Sequence, residues 1–488
     1  MLAIANSAGY RYGVSDLAFY LPAAFRDIDP ALFLRDGALL DVQARFTLAD
    51  EAIAWILRLG RAAGLSDPAS IYAAHIATLV LLFAAAVLLG VALFRSGWAI
   101  VAFVAALTLR HGVANGGVNT LEGYFHPRLI AFGLCMLALA VFLRRGPWPA
   151  FLVGLAACAI HTTTGFWLLI LVGVAGLLSE PRSRLALASL GSAAALLFAY
   201  AITLGPLAGR LQPMDAAWQN AIADKTYLFP DRWPVDAWLI CAAYVALILA
   251  AAARRRRRNE LTPRERGILA GVGTLFLVFL GALPLLLVRS ALAIQLQPAR
   301  VFWFIDLLAT IAIVWLAESF ERSRWRLAAV LATVLLVGSL ARGVYLLQVR
   351  FPERTMFHAA APDSPWQQVM RWARTTDKGS HWLAHPNHAF LYGSSLRVAG
   401  MRDVFVEGTK DPAVAMYDRA IAMQVSERLP LVSNYDALTA DDVLALARRY
   451  RLDFMITESA LPLKIVYVRP PLIVYDLRPA SPDAAGLN

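Results

Sequence analysis

Four carboxylates lie close together near the start of the chain, where they could do acid–base chemistry. Residues 9–36 read GYRYGVSDLAFYLPAAFRDIDPALFLRD and contain Asp16, Asp27, Asp29 and Asp36. A carboxylate can take a proton from a hydroxyl nucleophile or orient it. Asp27 and Asp29 also have the spacing of two oxygen ligands for a divalent cation. Local roles stay open: Asp16 could cap the following helix, Asp36 could belong to a turn, and the other two could edge a solvated loop.

A second group of polar residues precedes another apolar run. Residues 110–128 read RHGVANGGVNTLEGYFHPR and place Glu122, His126 and Arg128 beside a glycine-rich backbone. Glu122 is a second candidate carboxylate, and the forked donors of Arg128 suit an anion. The alternative is a solvated Glu122 and an Arg128 whose stem lies along the membrane interface. The proline at position 127 explains part of the pattern, because proline favours the first position of a helix.

Two further segments interrupt apolar sequence with polar side chains. Residues 159–167, AIHTTTGFW, contain His161, and residues 293–306, AIQLQPARVFWFID, contain Gln297 and Arg300. Polar backbone at membrane depth is tolerated where it is buried in protein or lines a cavity, so His161 is either a structural residue or part of a cavity wall. An arginine inside a membrane helix is costly unless it is paired, reaches the interface or binds an anion. We expect Asp306 to be the internal partner of Arg300.

The elements that must position these residues follow from the composition. The chain has 488 residues, of which 59% are hydrophobic and 16% charged, against about 25% charged in a typical soluble domain. About 20 apolar residues in a helix cross the ~30 Å hydrocarbon core of a bilayer. The sequence therefore predicts a polytopic α-helical membrane protein. The predicted spans are 71–94, 98–109, 128–143, 148–160, 165–179, 185–206, 235–253, 266–288, 297–318 and 327–348.

Three of these spans, 98–109, 148–160 and 165–179, are short. We expect them to extend into flanking polar residues or to stop inside the bundle. Residues 1–8 are expected to be the end of a first helix or a short helix that inserts partway.

Charge sets the predicted orientation. The net charge is +11, but the arginines cluster in short loops between spans, which indicates membrane topology rather than nucleic-acid binding. The arginine-rich loops, such as 253–266, are therefore predicted to be cytoplasmic and solvated. Residues 9–70 and the chain after residue 349 then lie on the opposite face. The three cysteines fall inside apolar runs and predict no disulfide.

The pattern of hydrophobic and polar residues changes after residue 349. Amphipathic segments at 364–374, 411–429 and 439–450 alternate with stretches rich in β-branched and aromatic residues, which predicts a small α/β domain. The predicted organisation is a transmembrane domain over 1–349, with 9–70 as its first external loop, and an extracytoplasmic α/β domain over 350–488. Three histidines at 381, 385 and 388 lack helical metal spacing because a proline at 386 intervenes.

The layout and a few residues resemble the GT-C superfamily of integral-membrane glycosyltransferases. The matching features are Asp16 in GVSDLAFYLP, the acidic pair in RDID, many apolar spans, a long first external loop and a C-terminal external domain. The resemblance implies a GT-C-like bundle of about 10–11 transmembrane helices. It also implies that a sugar moves from a polyprenyl-phosphate donor to an extracytoplasmic acceptor.

The resemblance also implies roles for the residues described above. A transferase of this kind needs a base for the acceptor hydroxyl and positive charge, with or without a divalent metal ion, for the phosphate leaving group. The catalytic candidates are Asp16, Glu122 and Asp36. The substrate-binding candidates are Arg128, Arg300, His126, His161 and Gln297.

The expected partners are a polyprenyl-phosphate-linked sugar and membrane lipids, with no nucleic acid. The expected location is a bacterial inner membrane with the site on the periplasmic face. The alternatives are a noncatalytic membrane scaffold and a lipid or glycan transporter. A transporter would carry ionisable residues near the bilayer midplane and related halves, and the spans hold few such residues, namely His75, Asp306 and Arg342.

Overall fold

The fold is predominantly helical and ends in a small sheet. A computed structural model describes residues 1–113, 115–319, 324–357 and 363–479. The α-helices are α1 Leu2–Asn6, α2 Leu17–Ile28, α3 Gly37–Ala44, α4 Ala49–Ala62, α5 Asp67–Leu93, α6 Gly97–Leu107, α7 Pro127–Arg145, α8 Pro147–Ile160, α9 Thr162–Ser179, α10 Arg184–Thr203, α11 Ala216–Ala221, α12 Val235–Arg257, α13 Pro263–Leu287, α14 Ala291–Leu296, α15 Phe302–Ser319, α16 Arg324–Tyr345, α17 Pro365–Ala373, α18 His388–Leu391, α19 Leu396–Ala399, α20 Asp411–Ala415, α21 Arg419–Leu431 and α22 Ala440–Tyr450. The strands are β1 His381–Ala384, β2 Asp403–Val404, β3 Phe454–Thr457, β4 Ile465–Arg469 and β5 Leu472–Asp476.

The chain divides into two compact units. Unit 1 comprises Met1–Tyr10, Tyr72–Met214 and Ala223–His358, and unit 2 comprises Arg11–Ile71, Asp215–Ile222 and Ala359–Asn488. The acidic segment that follows residue 10 therefore belongs to the same unit as the C-terminal strands. The assignment of a membrane domain and an extracytoplasmic domain on either side of residue 349 stays a prediction.

Long apolar helices dominate unit 1. Among the described residues, eight helices are long and apolar enough to cross a membrane by length and composition. They are Asp67–Leu93, Pro127–Arg145, Thr162–Ser179, Pro181–Thr203, Val235–Arg257, Pro263–Leu287, Ala291–Ser319 and Arg326–Arg350. The stretch Ala291–Ser319 comprises α14, a 3₁₀-helix and α15. The chain is therefore an integral membrane protein of the polytopic helical class, because such helices satisfy their own backbone hydrogen bonds in lipid.

The two remaining predicted spans are the shorter apolar helices α6 and α8, with 11 and 14 residues. The third span predicted to be short reaches 18 residues in α9, because its polar threonines are helical. These differences follow the expectation that short spans extend into polar neighbours or end early.

Small residues bring two of the long helices into close contact. A Cβ atom at Gly267 would lie 2.6 Å from the carbonyl oxygen of Ala175, and one at Gly271 would lie 2.6 Å from that of Leu171. These two glycines are one helical turn apart on α13, and both face α9. A pair of this spacing lets membrane helices pack with their backbones nearly touching.

The arginine run at the end of α12 differs from its predicted role as a solvated loop. The helix continues to Arg257, and its last turn contains four arginines, which complement the negative end of the helix dipole. Arg255 is buried and donates to Glu265 over 3.1 Å, while Arg254 donates to the Ser319 hydroxyl over 2.7 Å. Part of this run therefore stabilises the packing of helix ends, which its charge density alone does not reveal.

Unit 2 contains the five-stranded sheet, in the order β2-β1-β3-β5-β4. Strand β1 is parallel to β2 and β3, and β5 is antiparallel to β3 and β4. Apolar side chains pack in a separate cluster on each face of the sheet. Along β1, Trp382 and Ala384 belong to one cluster and Leu383 belongs to the second. Because side chains alternate along a strand, both faces of the central strands are buried.

Most of the C-terminal elements lie where the sequence predicts helices and strands. The segment 411–429 is an exception, because it forms two helices, α20 and α21, rather than one. The first helix ends at Ala415, and Asp418 caps α21 by accepting from the backbone N–H of Ala420 over 2.8 Å.

Candidate functional site

The glycine-rich loop of unit 1 has a defined conformation ahead of α7. The backbone N–H of His111 donates to the Thr120 hydroxyl over 2.7 Å. Gly117 has a φ of +67°, and a Cβ there would lie 2.6 Å from the ring of Tyr227. Glycine is thus required at this position both for its backbone conformation and for space. The loop ends at His126, whose Nδ1 accepts from the backbone N–H of Arg128 over 3.0 Å and caps α7.

Glu122 and Arg128 form a buried ion pair. An Arg128 nitrogen donates to Glu122 Oε1 over 3.0 Å, and both side chains are buried. The second oxygen of Glu122 lies 3.8 Å from an Arg110 nitrogen. The guanidinium of Arg128 also lies 6.0 Å from the ring centre of Trp303. The solvated glutamate considered above is therefore not what the structure contains, and the pair holds the Arg128 guanidinium in one orientation.

A histidine and a pair of threonines connect this region to Arg300. Nδ1 of His161 lies 2.9 Å from the Thr164 hydroxyl, and the ring centre of His161 is 6.4 Å from that of His126. Arg300 donates to the Thr163 hydroxyl over 2.8 Å. Glu122, Arg128, His126, His161 and Arg300 thus form one continuous polar cluster in unit 1.

Gln297 stands at the break between two helices. It has a left-handed φ of 49°, ends α14 and precedes the 3₁₀-helix Pro298–Val301 that contains Arg300. Its side chain is buried. A break of this kind exposes backbone N–H groups at the start of the following helix, and these groups favour an anionic ligand.

Asp306 has a different partner from the one predicted. Its Oδ2 lies 3.1 Å from Nδ1 of His111, whereas Arg300 contacts Thr163. Burial opposes protonation of His111, but the hydrogen bond and negative charge of Asp306 outweigh it and raise the pKa of His111. Sequence reasoning missed His111, although it begins the same loop as Glu122.

Asp16 occupies the N-cap position of α2 but does not cap it with its side chain. Its carboxylate instead accepts from Lys410 Nζ, which also donates to the Ser15 hydroxyl over 3.1 Å. The capping interpretation therefore does not account for this carboxylate. Lys410 was missed, because nothing local in the sequence relates it to a residue 394 positions away.

Asp36 lies in a buried charge network of unit 2. Its side chain is 2% exposed, and its Oδ2 accepts from Arg397 over 2.8 Å and from the backbone N–H of Val404 over 3.1 Å. Arg397 is 1% exposed and donates twice to Asp411, over 2.6 and 3.0 Å. The simple turn residue considered above is thus a buried anchor, and its role in catalysis stays a prediction.

The remaining carboxylates of the opening segment separate. Asp27 pairs with Arg58 at 3.1 Å, whereas Asp29 accepts from Lys378 over 2.5 Å and from the backbone N–H of Ala31 over 3.2 Å. The hydrogen bond from Lys378 lowers the pKa of Asp29. The two carboxylates of the D-x-D pair therefore bind two different basic side chains, Arg58 and Lys378. No group of three or more metal-ligating side chains is found among the described residues.

The three C-terminal histidines each bind backbone atoms. Nδ1 of His381 lies 3.2 Å from the Tyr450 carbonyl, and Nδ1 of His388 lies 2.8 Å from the His385 carbonyl. Nδ1 of His385 accepts from the backbone N–H of Asn387 over 3.0 Å. These contacts give each ring a structural role.

Comparison with known proteins finds distant similarity to solved structures. No family model matches the chain, and no curated protein matches it. A crystal structure of the Archaeoglobus fulgidus oligosaccharyltransferase in complex with Zn and sulfate aligns with a TM-score of 0.47 and 13% identity. The alignment covers 92% of this chain and 64% of that protein. At this TM-score the similarity supports no argument about activity.

Proposed function

We propose that the chain is a membrane glycosyltransferase of the GT-C type. It moves a sugar from a polyprenyl-phosphate donor to the hydroxyl group of an extracytoplasmic acceptor. The observation that carries the proposal is the polar cluster of unit 1, in which Arg128, Arg300, His126 and His161 gather beside apolar helices. Such a cluster suits a ligand with a phosphate at the end of a hydrocarbon chain.

The donor half of the reaction needs stabilisation of negative charge. As the bond between the sugar carbon and the phosphate oxygen breaks, the lipid phosphate keeps the electron pair. Arg300 and Arg128 supply charge-assisted donors for that phosphate, and Gln297 supplies a neutral donor. The Glu122 ion pair and the Thr163 hydroxyl hold the two arginines in position before substrate binds.

The acceptor half needs a base. The acceptor oxygen forms the new bond to the sugar carbon, and its proton passes to a carboxylate. We assign this role to Asp16. The oxygens of Glu122 and Asp36 are engaged by arginines, so protonation of either would break a buried ion pair. Lys410 keeps the Asp16 side chain in a defined position.

The proposed orientation follows from the arginine-rich loops. With those loops in the cytoplasm, the proposed site faces the periplasm of a bacterial inner membrane. The proposal assigns no ligands to a divalent metal ion, so the assay is run with and without one.

Exchange of Asp16 for asparagine tests the proposal. Full-length protein in proteoliposomes would be given a polyprenyl-phosphate sugar with a radiolabelled hexose and a soluble glycan acceptor, with and without added Mg²⁺ or Mn²⁺. Cleavage is measured as release of polyprenyl phosphate. Loss of a general base should lower the Asp16→Asn rate by roughly 10²–10⁴-fold.

The matched control is Asp27→Asn, in the same segment, where the carboxylate pairs with Arg58 near the surface. Its rate should stay close to that of the wild type, because a surface pair contributes at most ~1 kcal/mol to stability and Asp27 has no role in the proposed reaction. Transport of the intact donor without cleavage would instead favour the transporter. Absence of both cleavage and transport by the wild type would favour the scaffold.

A further inference from the structure

An apolar groove in unit 1 is lined by residues of α5 and neighbouring helices. Its volume is about 610 Å³, within the range of small-molecule sites, and Thr108 is the polar side chain among its lining residues. Ile4, Phe83 and Val104 are among the residues that line it. Val80, on its rim, is 63% exposed, so the groove is open to a molecule from the surrounding bilayer.

A chain of hydrogen bonds leads from the groove to an arginine. The hydroxyls of Thr108 and Ser339 lie 2.6 Å apart, and Asn6 donates to Ser339 Oγ over 2.8 Å. Arg342 in turn donates to the carbonyl and side-chain oxygens of Asn6 over 2.8 and 2.9 Å. The groove therefore has one polar end, at Thr108, and hydrogen bonds connect this end to the cation Arg342.

The charge of Arg342 has no carboxylate partner within the described parts of the chain. Its contacts are to neutral oxygens of Asn6, and the positive charge of Arg110 acts on it unfavourably. Arg110 is half-exposed, and its pairing with Glu122, at 3.8 Å, is shared with Arg128. Positive charge is thus in excess where the apolar groove ends. An anion is one of the groups that can compensate an arginine charge in a membrane helix.

We propose that this groove is a binding site for an anionic phospholipid of the bilayer, with one acyl chain in the groove and the phosphate on Arg342 and Arg110. The acyl chain fills the groove and contacts its apolar side chains. The headgroup supplies the negative charge that Arg342 lacks. This site is separate from the donor site proposed above, which uses Arg128 and Arg300.

Native mass spectrometry of the full-length protein in detergent tests the site. The protein would be mixed with phosphatidylglycerol or phosphatidylcholine of identical acyl chains. The wild type should retain phosphatidylglycerol preferentially. Arg342→Gln should lower that preference by roughly tenfold, because a contact with a charged group is lost, and Arg342→Lys should restore part of it. Arg256→Gln, at an exposed arginine of α12, should leave it unchanged.

A second variant tests the groove itself. Val80→Trp should fill it and reduce retention of both lipids, whereas Val334→Trp, at an exposed valine outside the groove, should not. Equal retention of the two lipids by the wild type would overturn the proposal. So would an unchanged preference in Arg342→Gln. Displacement of phosphatidylglycerol by an equimolar polyprenyl phosphate in the wild type, lost in Arg342→Gln, would also overturn it by assigning the groove to the donor.

Discussion

At the scale of single residues, the three candidate bases differ in what engages them. Glu122 and Asp36 are buried and bound by arginines, whereas Asp16 is partly exposed and bound by a lysine. Breaking a buried pair leaves an uncompensated charge and costs about 3–5 kcal/mol. Substitution of Glu122 or Asp36 would therefore disturb the structure as well as any chemistry. At Asp16 a substitution can change the chemistry with the least effect on the structure.

Arg300 carries the prediction for donor binding. Arg300→Ala removes a charge-assisted contact to the lipid phosphate, which is worth about 1.5–3 kcal/mol, so the affinity for polyprenyl phosphate should fall by about 10- to 150-fold. Binding can be measured by titration of detergent-solubilised full-length protein with polyprenyl phosphate. Arg300→Lys should fall between the two, because lysine keeps the charge but not the forked donors.

Arg289→Ala is the matched control for Arg300. Arg289 pairs with Asp231 at 2.7 Å in the same unit, and its loss should leave lipid affinity unchanged. If Arg300→Ala bound the lipid as well as the wild type, an arginine that merely reaches the membrane interface would be the better explanation.

At the scale of elements, the two-residue strand β2 depends on side chains as much as on its ladder. The buried carboxylate of Asp403 accepts from the backbone N–H groups of Arg35 and Asp36 over 3.3 and 2.9 Å. The carboxylate of Asp36 in turn accepts from the backbone N–H of Val404. These bonds connect the segment before α3 to the edge of the sheet within unit 2. Burial, with the nearby charge of Asp36, raises the pKa of Asp403 to about 6.

This raised pKa predicts a pH dependence of stability. A carboxyl group whose folded pKa lies above its unfolded value holds its proton more tightly when folded. Its contribution is complete below the unfolded pKa, about 4, and is lost as pH rises to about 6. The contribution of Asp403 to the melting temperature of the wild type in detergent should therefore fall over this window. A two-unit shift corresponds to at most about 3 kcal/mol.

Asp403→Asn should reduce that slope, because the titrating group is gone. The comparison is of slopes between pH 4 and pH 6, so a constant loss from one altered hydrogen bond does not affect it. Asp436→Asn, at an exposed position of unit 2, serves as the control and should keep the wild-type slope. Parallel melting curves for the wild type and Asp403→Asn would contradict the prediction.

At the scale of the whole molecule, topology is the property that the proposed function most needs. The predicted orientation places 9–70 and the chain after residue 349 on one face and the arginine run at 254–258 on the other. Single cysteines at Ala63, Ser433 and Asn259, all exposed positions, can report this in a background where the three native cysteines are replaced.

A membrane-impermeant maleimide should label Ala63→Cys and Ser433→Cys in intact spheroplasts. It should label Asn259→Cys only after permeabilisation. Labelling of Asn259→Cys in intact spheroplasts, or protection of either other site, would reverse or break the predicted topology.

The sequence by itself determined the membrane-spanning helices and the approximate positions of the C-terminal strands and helices. These are local properties, because about 20 apolar residues suffice for a span and a run of β-branched and aromatic residues indicates a strand. It also showed that Glu122 and Arg128 lie six residues apart at a helix start, but not that they form an ion pair.

Only the tertiary structure decided the partners of the carboxylates. Asp16 meets Lys410 across 394 positions, and Asp36 meets Arg397 across 361. A charged side chain carries no local signal of which distant charge will neutralise it. The choice depends on how helices and strands pack, and packing follows from buried surface summed over many residues. For the same reason the sequence showed the D-x-D spacing of Asp27 and Asp29 but not that each would bind a different cation.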